Sequence, residues 1–406
     1  MERPTANGCC GRWYGQQVGR RLGWVKEAAE GAAAPGQSML AGRATAEGTR
    51  RFAGRFAGLV QDFRAAAGLT LSPLGIGTYL GEPDSATDEA YAATVRGAVA
   101  GGINVIDTAV NYRFQRSERS VGRALGALVE AGQVARDEIL IATKGGYITF
   151  DGAVPEDPAS WFARTLVESG ILAGPEEVVD GSHCLAPRFL QAMLQASLAN
   201  LSIETVDIYY LHNPESQLTA VERPEFLSRM RRAFEMLEEQ VTAGRVAVYG
   251  TATWNGYRVE PADRFYLCLA ELVGLARQIA GPDHHFRALQ MPYNLAMTEA
   301  YGLRNQEGSA GWGSTLEVAR DLGLTVFASA PLLQGRLARN LPAALRAVLG
   351  GGGSDARLAA QFARSTPGID VVLVGMKSAE HLAETLDLLR EPPLSAAKLQ
   401  GLLQPS

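Results

Sequence analysis

From Leu71 onward, short runs of apolar and β-branched residues alternate with longer stretches whose apolar positions recur every three to four residues. The short runs are LSPLGIGT (71–78), INVIDT (103–108), EILIAT (138–143), VDIYYLH (206–212), RVAVYGT (245–251), RALQMPYN (287–294), LTVFAS (324–329) and DVVLVG (370–375). Each predicts a strand. The stretches at 87–101, 117–131, 187–201, 225–243, 262–280, 314–322, 355–365 and 378–390 predict helices. Nearly continuous apolar strands imply burial on both faces, hence a parallel sheet. Eight strand–helix repeats predict an α/β fold, a closed (β/α)8 TIM barrel rather than an open doubly wound sheet. An open dinucleotide-binding sheet carries G-x-G-x-x-G in its first turn, and no such run follows the first strand. Two connections are long, 145–186 after the third strand and 295–313 after the sixth. Both are βα connections, which lie on the face where barrels keep their active sites, and long loops there tend to be functional covers.

Residues 1–38 are rich in Gly, Ala and Arg and carry no sustained apolar period, so a disordered tail is expected. Arg12, Arg20 and Arg21 would suit a targeting peptide, but there is no compact apolar core, and Glu27 and Glu30 count against it. Met39 would serve as a later start. Residues 39–68 read as an extension, 69–392 as the barrel and 393–406 as a C-terminal tail. Within the extension, TRRFAGRFAGLVQDFR (49–64) predicts a helix with Phe52, Phe56, Leu59, Val60 and Phe63 on one face. Arg50, Arg51, Arg55 and Arg64 lie largely off it. Such a helix could dock on the main domain or lie on a membrane surface.

Composition narrows the function classes. The chain has 406 residues, 47% hydrophobic and 20% charged, with a formal charge of −5. That is ordinary globular composition, with no basic block for nucleic acid and no apolar run near the roughly 18 residues of a spanning helix. The cysteines, Cys9, Cys10, Cys184 and Cys268, show no metal-ligand spacing. No metal site is expected, and a reduced cytoplasmic chain is.

The strand ends carry the candidate chemistry. The second strand ends at Asp107 with Tyr112 five residues on, the third at Lys144 and the fourth at His212. Singly, each has a plain structural reading: a loop cap, a surface bridge, a satisfied carbonyl. Together, at the ends of consecutive strands, they converge on one barrel mouth. A free phenol has a pKa near ~10, and a lysine ammonium beside it favours the phenolate. An aspartate beside that lysine keeps it charged and directed. A histidine beside the phenol can hydrogen-bond a substrate carbonyl. The set makes a general-acid site for a carbonyl gaining a hydride. A hydrolase or isomerase using Asp107 and His212 would leave Lys144 beside Tyr112 without a role.

Over Leu69 to Arg390 the sequence resembles the aldo-keto reductase family. GINVIDTAVNY followed by RSERSVGRAL is similar to the family's first signature, with Asp107 and Tyr112 at its catalytic positions. IATKGG is similar to the segment of the catalytic lysine, here Lys144, and LQASLANLSIETVDIYYLHNP to the helix and strand leading to the catalytic histidine, here His212. The resemblance implies an enzyme that reduces an aldehyde or ketone reversibly with NAD(P)H lying across the barrel mouth. By the same resemblance, Gly77, Thr78 and Tyr79 in GIGTYL lie near the nicotinamide, with Asp107, and Gln290 takes its carboxamide. Ala252 and Thr253 stand where the family has a Ser-Asn pair, and Ser329 where a tyrosine often stacks on the nicotinamide. Pro331, Leu332, Gly335 and Arg336 resemble a pyrophosphate loop. The segment LVGMKSAEHLAET resembles the holder of the adenosine 2′-phosphate, through Gly375, Lys377, Ser378, His381 and Glu384. Many members carry arginine where His381 falls. The resemblance thus implies NADPH, with NADH possible, and a small carbonyl substrate. Tyr147, Phe150, Trp161, Phe162, Trp254 and Tyr257 would offer aromatic walls to an apolar or cyclic carbonyl, or pack on one another. The family's potassium-channel β-subunits imply a second reading, a cofactor-binding regulatory subunit. Oligomeric state is left open.

Overall fold

The structure is a computed structural model and describes residues 39–403. The expectations for residues 1–38 lie outside the described residues, as do those for 404–406.

Eight parallel strands close into a barrel. They are β1 (Leu74–Gly77), β2 (Val105–Asp107), β3 (Leu140–Gly145), β4 (Val206–His212), β5 (Val246–Ala252), β6 (Phe286–Pro292), β7 (Thr325–Ser329) and β8 (Val371–Gly375). Each pairs with its sequence neighbours, and β8 pairs back onto β1. The flanking helices are α1 (Ser85–Ala100), α2 (Arg116–Glu130), α3 (Pro187–Leu201), α4 (Arg223–Thr242), α5 (Leu269–Ala280), α6 (Thr315–Asp321), α7 (Asp355–Ser365) and α8 (Ala379–Leu389). The (β/α)8 expectation therefore holds. Every residue of β3 and β4 is buried, as strands covered on both faces require. Inward-facing Val105, Leu140, Ala142, Ile208, Tyr210 and Phe327 belong to the cluster that fills the barrel.

The α1, α6, α7 and α8 helices start on side-chain caps, Asp84, Ser314, Ser354 and Ser378, each accepting a bond from a first-turn N–H. Gly250 is required where β5 shifts register against β6, since a Cβ there would sit 1.9 Å from the Ala288 carbonyl oxygen. Gly122 lets α2 approach α3, where a Cβ would lie 2.6 Å from the Asn200 carbonyl.

The extension closes the N-terminal end of the barrel. Residues Arg64–Ala66 and Leu69–Leu71 form an antiparallel hairpin, which crosses the expected boundary at residue 68. Leu71, Ala66 and Ala44 join the barrel-filling cluster. The Ala44 N–H donates to Asp207 Oδ1 at 2.6 Å. Asp207 Oδ2 accepts from Arg136 at 2.7 Å and from the Ile141 N–H at 2.7 Å, all buried.

Four element expectations differ from the structure. The helix read over 49–64 runs only Ala46–Arg55, because Gly58 turns the chain at φ 90°. Its Phe52 is buried, and Arg51 and Arg55 both bond the buried Glu138 carboxylate. It is docked on the barrel. The first predicted strand is split by Pro73 into the hairpin's second strand and β1. The helix read over 262–280 starts only at Leu269, where the first N–H is accepted by the Gln306 side chain at 2.8 Å. Residues 393–403, expected as tail, include a helix, Ala396–Leu403.

The Asp207 hub generates a stability prediction. Asp207→Ala leaves Arg136 charged, buried and unpaired, and strips two N–H groups of their acceptor. Urea unfolding should show a loss of about 3–5 kcal/mol. A loss under about 1 kcal/mol would show that the hub contributes little.

Candidate functional site

Strand register brings the predicted residues to one rim. Gly77 pairs with Asp107 on one side and Gly375 on the other. His212 pairs with Ala252, and Ala252 with Gln290. Asp107 and Lys144 project from the ends of adjacent strands and meet in the interior.

The centre is a buried ion pair. The Lys144 Nζ donates to Asp107 Oδ2 at 2.6 Å and to the Thr108 carbonyl at 2.8 Å. The Gln290 Nε2 donates to Asp107 Oδ1 at 2.7 Å. Burial pushes the Lys144 ammonium below its ordinary pKa and the Asp107 carboxyl above its own, and the attraction between them opposes both shifts. With both carboxylate oxygens and the ammonium hydrogen-bonded, the charged pair is the state this geometry holds.

Tyr112 lies over that pair. The Lys144 Nζ is 4.9 Å from its ring centroid. Tyr79 packs edge-on against it at 5.0 Å, and His212 at 5.9 Å. The loop that carries Tyr112 is locally strained: Arg113, Phe114 and Gln115 are all left-handed, at φ 49°, 53° and 71°. Arg113 anchors it through a bond to Asp88 at 2.5 Å, and Asp88 also pairs with Arg116. The Ser117 hydroxyl donates to Thr78 Oγ1, and the Thr78 hydroxyl donates to the Asp107 carbonyl. The Thr78 hydroxyl is therefore committed to holding Asp107 in place rather than offered to the mouth.

Burial holds His212 well below the ordinary histidine pKa, with Lys144 and His183 adding to the shift. It is a neutral imidazole. Its Nδ1 is buried without a partner among the described residues.

A Cβ on Gly77 would meet only backbone, at 3.8 Å, and one on Gly375 only the Gly77 carbonyl, at 3.9 Å. Packing within the chain does not demand glycine at either place, so two neighbouring strand ends leave a strip of bare backbone on the rim. Across the same rim, just past the end of β5, the buried Thr253 Oγ1 has no hydrogen-bond partner among the described residues. Both features suit a flat, polar group laid across the rim. Ala252 is buried at the end of β5, and Ser329 is half-buried at the end of β7. In the loop after β7, buried Pro331 and half-buried Leu332 lead into Leu333, Gln334 and Gly335, all left-handed, and Arg336 is exposed. At the start of α8, Lys377 and His381 are exposed and Glu384 is half-buried. There the Ser378 hydroxyl accepts the His381 N–H at 3.2 Å.

The aromatic expectations divide. Tyr147 stands between His183 and His212, edge-on at 4.9 and 5.1 Å. Phe150 packs on Phe114 and Trp161 within the loops, and Phe162 is half-buried beside them. Tyr257 is a core residue, bonded to Thr251. Trp254 is half-buried, and its backbone N–H donates to the Glu215 carboxylate.

Sequence reasoning missed His183 and Gln217. The only signal was that the connection carrying His183 is long and lies on the functional face. Among the described residues no cluster of metal-ligating side chains occurs, and no helix is long and apolar enough to cross a membrane.

The chain is 24% identical over 335 residues to a 6-dehydroglucose reductase of Novosphingobium aromaticivorans, covering 80% of this chain and 88% of that one. It is 28% identical over 209 residues to an NADH-specific methylglyoxal reductase of Escherichia coli, covering 50% and 54%. The fold superposes on an aldo/keto reductase from Klebsiella pneumoniae in complex with NADP and acetate, with TM-score 0.57 and 19% identity, covering 84% and 94%. The Aldo/keto reductase family model matches residues 73–402. The chain thus belongs to the aldo/keto reductase family, and with it to the NAD(P)H-dependent oxidoreductases.

Proposed function

We propose that the protein reduces an aldehyde or ketone to an alcohol, with Tyr112 as the proton donor and NADPH as the preferred cofactor. The observation that carries this is the buried Asp107–Lys144 pair lying against Tyr112, with neutral His212 edge-on to the same ring. The reduced nicotinamide, when bound, supplies the hydride. Lys144 stabilises the phenolate that remains after Tyr112 gives up its proton. Asp107 and Gln290 keep Lys144 charged and aimed. His212, being neutral, donates a hydrogen bond to the substrate oxygen and orients it without adding a second cation. Tyr79 and Tyr147 flank the reacting carbonyl and limit water.

Gly77, Gly375, Thr253 and Gln290 would seat the nicotinamide end, joined by Tyr79, Ala252 and Ser329. Pro331, Leu332, Gly335 and Arg336 would take the pyrophosphate. Lys377, the Ser378 hydroxyl and the α8 N-terminus would meet the 2′-phosphate, with His381 and Glu384 along the same turn. The capping bond leaves the Ser378 O–H able to donate. Histidine at 381 lacks the bidentate fork that arginine offers a phosphate. The preference for NADPH should therefore be modest. The NADP-bound relative supports this reading, and the NADH-specific one sets its alternative.

Three outcomes are expected. Tyr112→Phe should retain cofactor affinity and lose about 10²–10⁴-fold in kcat, the share of a positioned general acid. Near-native turnover would remove Tyr112 from the role. Lys377→Ala should weaken NADPH and spare NADH, whereas His381→Arg should tighten NADPH alone. Dissociation constants for both cofactors on the three proteins decide this, and equal weakening of both would place the phosphate elsewhere. Because its pKa is lowered, His212 stays neutral as pH falls through about 6.5. The pH profile of kcat/KM should then show no break there that His212→Gln abolishes, and such a break would mean that His212 titrates as an ordinary histidine.

A further inference from the structure

His183 belongs to the long β3–α3 connection yet is 1% exposed. Its Nε2 lies 2.8 Å from the carbonyl oxygen of His212. Its Nδ1 lies 2.7 Å from Gln217 Nε2. Gln217 in turn accepts from Arg229, whose guanidinium bonds Gln217 Oε1 at 2.5 Å.

The direction of this chain is set from one end. A guanidinium can only donate. Gln217 Oε1 is therefore the acceptor, which makes Gln217 Nε2 the donor. His183 Nδ1 must accept and carries no proton. The proton lies on Nε2, which donates to His212. Three bonds run from a helix α4 arginine to the last residue of β4.

That last bond falls where the barrel ladder ends. After His212 the chain turns sharply, with Asn213 left-handed at φ 48° and its N–H donating to the Ala252 carbonyl at 2.6 Å. The His183 bond pins the other side of the same peptide. The ring of His183 also backs Tyr147, which backs the His212 ring. Both the backbone and the imidazole of His212 are thus referred to His183.

We infer that His183 is a positioning residue for the reduction: by donating to the His212 carbonyl and buttressing Tyr147, it fixes the direction in which His212 meets the substrate oxygen. This rests on the reading of His212 given above.

A double-mutant cycle separates the two. His183→Ala in the native background should lower kcat by about 10–100-fold, the scale of a misaimed group near the chemistry, with cofactor dissociation constants unchanged. In a His212→Ala background the same change should cost little, because the residue through which it acts is gone. Equal losses in both backgrounds would overturn the inference while leaving the role of His212 intact. Full turnover by His212→Ala itself would overturn the reading of His212 and this inference with it. Should His183→Ala fold poorly, His183→Gln and His183→Asn supply the comparison. Glutamine places an N–H near the Nε2 position and should restore most of kcat, while asparagine is too short to reach. Equal activity in the two would refute the donor role. In ¹⁵N spectra of the native protein, His183 should show a protonated Nε2 and a bare Nδ1, and the opposite tautomer would refute the relay.

Discussion

A lysine and an aspartate, side by side in the interior of a closed barrel, are the constraint on which the rest of the site depends. Each alone would be costly to bury; held 2.6 Å apart with further bonds to Thr108 and Gln290, they form a charged unit that keeps its ionisation away from water. The barrel makes this affordable geometrically, since β2 and β3 are hydrogen-bonded neighbours and deliver the two side chains from adjacent ends. Whatever lies against the ammonium feels a cation that solvent does not screen. Tyr112 occupies that place, and the strained turn at 113–115, anchored by Asp88, keeps it there.

The two ends of the barrel divide the work. At the N-terminal end, Asp207, Arg136 and Glu138 tie the extension to the barrel through buried carboxylates, and apolar side chains of the hairpin fill the opening. At the C-terminal end, polar groups are left incompletely paired: His212 Nδ1 and Thr253 Oγ1 among them. Unsatisfied buried atoms are unfavourable to folding. These two atoms lie on the rim where substrate and cofactor are proposed to sit, while buried ion pairs brace the opposite end.

Much of this was legible in the sequence because strand ends can be read from periodicity. Asp107, Lys144 and His212 each terminate an apolar run, and in a barrel all such termini face one way. Eight strands and eight helices followed from the same alternation. Other features depend on contacts that no local pattern encodes. The helix read over 49–64 overshot because an apolar period continues past Gly58 while the backbone turns. The helix read from 262 begins later because its N-terminus is set by Gln306, a residue on a distant loop. Tyr257 looked like a mouth aromatic and proved a core residue. His183 lies in an aperiodic connection, and its role emerges only when Gln217 and Arg229 are brought beside it.

The central claim is that Lys144 sets the acidity of the group that protonates the carbonyl. It is tested most directly by the pH dependence of the hydride-transfer step in the native protein and in Lys144→Met. Reduction requires the protonated phenol, so the rate falls as pH rises through its pKa. Removing the ammonium disfavours the phenolate and raises that pKa. The account predicts that the falling limb moves to higher pH in Lys144→Met, with a lower plateau rate. A limb that stays where it was would contradict it.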